Sequence, residues 1–76
     1  MPLYNTAIQK YLEKIRFENN ETRGEMAKRL RISPSYLSLI EANKRFMNDK
    51  IFCRLAREYK LSRYRINKLS ILRFIS

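Results

Sequence analysis

The side chains of this chain that could do chemistry are overwhelmingly cations. Lys and Arg number 17 against 7 Asp and Glu, a formal net charge of +10, and the sequence pI is near 10.3. A chain this basic attracts a polyanion, although lysine and arginine also serve as plain solvated cover. The charge is uneven, with 7 basic and 5 acidic side chains in residues 1–42 against 10 and 2 in residues 43–76. There is no histidine and only one cysteine, Cys53, which removes the usual zinc sites and the His-based triads and dyads. No nucleophile, base and orienting group can be assembled. The expectation is therefore a binding protein and not an enzyme, with no catalytic residue, metal, cofactor or small-molecule substrate.

One cysteine cannot close an intrachain disulfide, which suits a reducing cytoplasm, while an intermolecular bridge stays open. No N-terminal stretch has the order of a signal peptide, and the apolar runs fall far short of the ~20 residues of a membrane helix. A soluble cytoplasmic protein with no membrane contact is expected.

The elements that must position these cations are helices. A chain of 76 residues makes one domain, buries only roughly 60% of its unfolded surface and leaves little room for a separate catalytic cleft. Two prolines and one glycine supply little turn chemistry for a sheet. Ile8, Tyr11, Leu12 and Ile15 fall on one stripe of a helix from about Thr6 to Glu18. Asn5 or Thr6 can cap its start, and Asn19-Asn20 can supply a left-handed residue at its end.

Thr22-Arg23-Gly24-Glu25 has the spacing of a capping box and opens a second helix with Met26, Ala27 and Leu30 inward. Ser33-Pro34 gives a third start, serine as cap and proline in the first helical position, and this helix buries Leu37 and Ile40. Ala42 to Met47 reads as a basic connector in which Asn43 is the candidate left-handed residue. Asn48 caps a fourth helix with Ile51, Phe52, Leu55, Ala56 and Tyr59 inward and Cys53 as a small apolar filler. Ser62 caps a fifth, where Ile66, Leu69, Ile71, Leu72, Phe74 and Ile75 are apolar and Arg63, Arg65, Lys68 and Arg73 basic. No repeat or linker interrupts the series, so residues 1–76 form a single all-α domain of five helices.

Two short helices, about 23–29 and 34–41, joined by a turn of about four residues, have the spacing of a helix-turn-helix, whose second helix can enter the major groove. Ala27 must be small because the second helix crosses close above it. A helical hairpin in a plain bundle could show similar apolar spacing.

The residues resemble a family, the Cro and phage-repressor (xenobiotic-response-element) type of helix-turn-helix. The likeness covers about Leu12 to Ser62 and is carried by Glu25-Met26-Ala27-Lys28-Arg29-Leu30, Ile32-Ser33-Pro34-Ser35-Tyr36-Leu37-Ser38, Ile40-Glu41-Ala42-Asn43-Lys44-Arg45, and Leu55-Ala56 with Leu61-Ser62 behind. It implies a lambda-repressor-like domain, with a core at about 6–62, that binds double-stranded DNA. It also implies that Arg16 and Glu41 form a structural ion pair and that Pro34, Ser35, Tyr36, Ser38 and Leu39 face the bases.

Direct readout from that set is modest, since Arg, Asn and Gln are the residues that read guanine and adenine bidentately. By the same resemblance Thr22, Arg23, Asn43, Lys44 and Arg45 contact phosphates. Thr22 and Arg23 stand at a helix start, where free N–H groups and the dipole favour an anion, and Arg23 replaces the family's usual glutamine. Gly24 either lets a phosphate come close or is a neutral choice. The family often has glycine where this chain has Arg31, which would be strained at positive φ.

The C-terminal helix, about 63–75, has more apolar positions than one stripe needs. They either cover the core or make a two-fold dimer contact through Leu69, Leu72, Phe74 and Ile75, which would set two recognition helices on a pseudo-palindromic site. Its cations could instead hold an acidic protein partner or more DNA backbone, and an antitoxin or adaptor would use the Ile66 to Ile75 surface to hold a protein. Single-stranded RNA is disfavoured because the tyrosines fall at core-like spacings and not as a stacking platform.

Overall fold

Each helix begins where a short polar side chain turns back onto its own backbone. In the computed structural model, which describes residues 6–74, Thr6, Thr22, Ser33, Asn48 and Ser62 each accept the N–H three residues ahead. The helices they start are α1 (Ala7–Glu18), α2 (Arg23–Leu30), α3 (Pro34–Glu41), α4 (Asp49–Glu58) and α5 (Arg63–Leu72), and there is no strand among the described residues. The protein is all-α. Asn5, the alternative first cap, lies outside the described residues, and Thr6 takes the position. At α2 the box closes both ways, Glu25 N–H to Thr22 Oγ1 at 3.1 Å and Thr22 N–H to Glu25 Oε1 at 2.8 Å.

Four helices end in a left-handed residue that is not glycine: Asn20 (φ 58), Arg31 (φ 60), Asn43 (φ 63) and Lys60 (φ 50). The N–H of the next residue reaches five residues back, from Glu21 to Arg16, Ile32 to Ala27, Lys44 to Leu39 and Leu61 to Ala56, at 2.8–3.0 Å. This bond satisfies an otherwise orphaned carbonyl. Arg31 thus keeps the left-handed turn that glycine would make without strain.

The core runs through all five helices. Ile8, Leu12 and Ile15 of α1 meet Met26, Ala27 and Leu30 of α2, Leu37 and Ile40 of α3, Ile51 and Leu55 of α4 and Leu69 of α5. Met47, which falls in the connector by sequence, is 1% exposed and belongs to the core as well. α2 packs on α3 and α4, while α1 packs on α2, α3 and α5.

Cys53 is exposed and does not fill the core. It stands two residues from Ile51 and two from Leu55, which at about 100° per residue puts it on the far side of α4. No helix among the described residues is long and apolar enough to cross a membrane.

Candidate nucleic-acid interface

α3 is held from beneath and open above. Leu37, Ile40 and Glu41 are buried, Pro34, Ser35 and Leu39 are exposed, and Tyr36 and Ser38 are half-buried. Ser33 Oγ takes the Tyr36 N–H at 3.0 Å, and Pro34 fills the first position, where no N–H is needed. Beside it, the start of α2 presents Thr22, Arg23 and Gly24, all exposed. A Cβ at Gly24 would meet only Thr22 Oγ1, at 3.8 Å, so packing does not require glycine there.

Glu41 ties three helices together. Arg16 of α1 donates through Nη1 to Glu41 Oε2, and both side chains are buried. The same Nη1 reaches Met26 Sδ at 3.6 Å, and the Thr6 hydroxyl donates to the Glu41 carbonyl at 2.5 Å. Arg23 Nε lies 3.1 Å from Glu41 Oε1. That contact is ionic without hydrogen-bond geometry, for Oε1 is sealed from water with no donor.

Arg23, expected at a phosphate, also takes part in this contact. Its guanidinium turns toward Glu41 and reaches Ser38 Oγ at 3.5 Å, so its charge is partly matched inside the protein. Its side chain as a whole is still 42% exposed. Ser38, a base-facing position by resemblance, shares this arginine.

Beyond α3 the left-handed turn at Asn43 sends the chain away from the helix. The Lys44 and Arg45 N–H groups both return to the Leu39 carbonyl, at 2.8 and 3.2 Å, while the residues Asn43, Lys44 and Arg45 are exposed. The start of α2, the outer face of α3 and this loop are therefore all exposed, with Arg23, Lys44 and Arg45 as their cations. The chain was compared with protein-family models, curated proteins and solved structures. It matches none of them.

The rear of α2 is fixed by a separate network. Arg29 donates to Glu21 Oε2 at 2.6 Å and to the Glu58 carbonyl at 2.7 Å, and stacks on the Tyr59 ring at 4.1 Å. Tyr59 donates to Glu21 Oε1 at 2.5 Å. Desolvation pushes the Glu21 carboxyl up, but the Tyr59 hydroxyl and Arg29 outweigh it and hold Glu21 below the usual carboxylate range. Burial first, then Glu21, raises the Tyr59 hydroxyl far above its ordinary value.

The C-terminal residues divide differently from the sequence expectation. Leu69 is fully buried against the core, so it covers the domain and is unavailable as a dimer contact. Leu72 is half-buried, Ile71 and Phe74 are exposed, and Ile75 lies outside the described residues. Arg65, named among the basic residues of the fifth helix, is held by Glu18 through two bonds of 2.7 Å. The hydrogen bonds from Arg65 are the main cause that lowers the Glu18 carboxyl. Tyr64 is exposed, whereas Tyr11, Tyr36 and Tyr59 pack against the core.

Sequence reasoning counted Arg73 only among the basic residues of the fifth helix. Its side chain is 8% exposed, donates to the Met47 carbonyl at 3.0 Å and reaches Asp49 Oδ1 at 2.8 Å. Its guanidinium also lies 4.3, 5.1 and 5.5 Å from the ring centres of Phe52, Phe74 and Phe46. Arg73 thus ties the end of α5 to the connector that carries Asn43, Lys44 and Arg45. The three phenylalanines were the signal, but nothing in their spacing groups them around one arginine.

Proposed function

We propose that the protein is a sequence-specific double-stranded DNA-binding regulator of the phage, plasmid or mobile-element repressor kind. In this reading α2 and α3 are a helix-turn-helix, and α3 enters the major groove. One observation carries the proposal: α3 is buried through Leu37, Ile40 and Glu41 and open to solvent through Pro34, Ser35 and Leu39. Thr22 and the Asn43–Arg45 loop flank it as phosphate contacts. Pro34 and Leu39 cannot donate hydrogen bonds and Ser35 and Ser38 read weakly, so groove shape and deformability supplement the base contacts.

Two copies on a pseudo-palindromic operator fit an exposed apolar patch at the end of α5. Phe46 and Phe74, 50% and 66% exposed, pack in a tilted pair with centroids 5.2 Å apart, and Ile71 is 60% exposed. The same patch supports a second reading, an antitoxin or adaptor that keeps the DNA-binding unit and holds a protein there. Selecting bound fragments from random duplexes at two protein concentrations tests the first reading. A symmetric motif is expected, and uniform recovery of all fragments would overturn it. A copurifying protein lost in Phe74→Ser, with operator binding intact, would favour the second.

A further inference from the structure

A groove runs between α1 and α5. Its larger part, a cavity of about 270 Å³, is lined by Ala7, Lys10, Tyr11, Lys14, Lys68 and Leu72. A smaller part of about 70 Å³ shares Tyr11, Lys14 and Lys68 and extends it to Tyr64, which is 73% exposed. Ala7, Lys10, Tyr11 and Lys14 stand at i, i+3, i+4 and i+7 on one stripe of α1, and Lys68 and Leu72 are one turn apart on α5. The groove therefore has apolar walls and a rim of three ammonium groups. A cavity of roughly 150 Å³ admits a benzene ring, so the larger part admits a leucine or an aromatic side chain.

The walls are fixed in advance. The Tyr11 hydroxyl donates to the Arg65 carbonyl at 2.7 Å, and Arg65 is held in turn by Glu18. A side chain already ordered in this way loses little freedom when a ligand packs on it. The rim, by contrast, is not neutralised. Lys10, Lys14 and Lys68 are exposed. Among the described residues no acidic side chain lines either part of the groove, and no ion pair engages these three lysines. Lys10 and Lys14 are also like charges one turn apart, an unfavourable pair on a helix, which carboxylates laid over the rim would relieve.

We infer that this groove docks an acidic protein segment, its carboxylates meeting Lys10, Lys14 and Lys68 and one apolar side chain entering between Tyr11 and Leu72. A duplex backbone brings anions but no apolar group for those walls. A second copy of this chain brings a net charge of +10 of its own, which a lysine rim repels. The inference rests on neither reading above, since the groove uses no residue of α2, α3 or the 43–45 loop and none of the patch formed by Phe46, Ile71 and Phe74.

The test selects a displayed library of short random peptides against the full chain. Peptides with carboxylates on both sides of one large apolar residue should be enriched. In nitrogen–proton correlation spectra an enriched peptide should shift, saturably, the amides of residues 7–14 and 68–72. Lys10→Glu/Lys14→Glu should lower its affinity by about tenfold. Lys50→Glu/Arg57→Glu removes the same charge from exposed positions of α4 and should leave the affinity nearly unchanged. Equal losses in the two variants, no enriched pattern, or acidic peptides enriched without an apolar residue would each overturn the groove, leaving only the overall field.

Two further measurements cover the other occupants. Shifts of the same amides on diluting the chain alone would put a second copy in the groove, and competition between the peptide and a short duplex for these amides would make it a track for DNA backbone. Either result overturns the acidic segment. Peptide and duplex bound together, each with its own set of shifted amides, would support both readings. Peptide binding with no duplex binding would reject the DNA reading and keep the groove.

Discussion

At the scale of single residues the decisive group is Glu41. A carboxylate this deeply buried is costly unless paired, and Arg16 and Arg23 pair it from two helices. Breaking a buried pair by removing one member costs about 3–5 kcal/mol, because the survivor is left charged in a poor solvent, whereas replacing both by apolar groups is often far less harmful. Arg16→Met is expected at the low end of that range, since Arg23 still faces Glu41. Glu41→Leu should cost more, as it strands Arg16. The double variant should cost less than the two single losses added, measured by urea unfolding. Strict additivity would show that the pair contributes no coupling.

The contact of Arg23 Nη1 with Ser38 Oγ, 3.5 Å, bears on readout as well. An arginine that only touched phosphate would affect all duplexes alike. Arg23 also positions a side chain on the outer side of α3, so Arg23→Gln is expected to change preference among selected sites as well as overall affinity. Unchanged preference with lower affinity would return Arg23 to a purely backbone role.

At the scale of elements the fold was largely legible because helix ends carry local chemistry. Thr22, Ser33, Asn48 and Ser62 each cap within three residues of themselves, and no tertiary contact is needed to see it. Asn20 and Asn43 adopt left-handed backbone as asparagine readily does. Legibility stopped where partners are distant in sequence. Arg73 and the Met47 carbonyl are 26 residues apart, and Arg65 and Glu18 are 47 apart, so composition showed cations where the structure has clamps. Periodicity likewise failed to say which apolar residue of α5 is inside, because that helix alternates Leu69 inward with Ile71 outward.

Two predictions belong to these elements. Lys60 and Arg31 hold positive φ against a side-chain penalty, and glycine would remove it. Lys60→Gly, remote from α3, should gain about 0.5–1 kcal/mol in a denaturant melt. A loss would mean that the lysine side chain makes a stabilising contact. The second concerns the rear of α2, where Glu21 is held below its ordinary value and Tyr59 above.

A depressed carboxyl stabilises the fold above its unfolded value, about 4.3, and that contribution disappears as pH falls through the folded one. A raised hydroxyl stabilises below its unfolded value, about 10, and the contribution disappears as pH climbs toward the folded one. Thermal stability should therefore be level between those limits and fall on both sides. Glu21→Gln is expected to flatten the acid limb. An acid limb as steep in Glu21→Gln as in the parent would remove Glu21 from the account.

At the scale of the whole molecule the question is how +10 is distributed. The structure sorts the cations by use: Arg16, Arg29, Arg65 and Arg73 are committed to carboxylates or carbonyls, while Lys44 and Arg45 stand exposed beside α3. Other exposed lysines lie elsewhere, Lys10, Lys14 and Lys68 around a cavity between α1 and α5 lined by Tyr11 and Leu72. Each phosphate neutralised by the protein releases counterions and contributes about 0.9 to the slope of log affinity against log salt. If the duplex lies along α3, the slope should register only the cations on that side. Lys44→Gln and Arg45→Gln should each lower it by about one, Arg23→Gln by less because Glu41 already holds part of its charge, and Lys68→Gln should leave it unchanged. Equal losses from Lys68 and Lys44 would mean that the field acts as a uniform cloud, and α3 would then have no privileged part in binding.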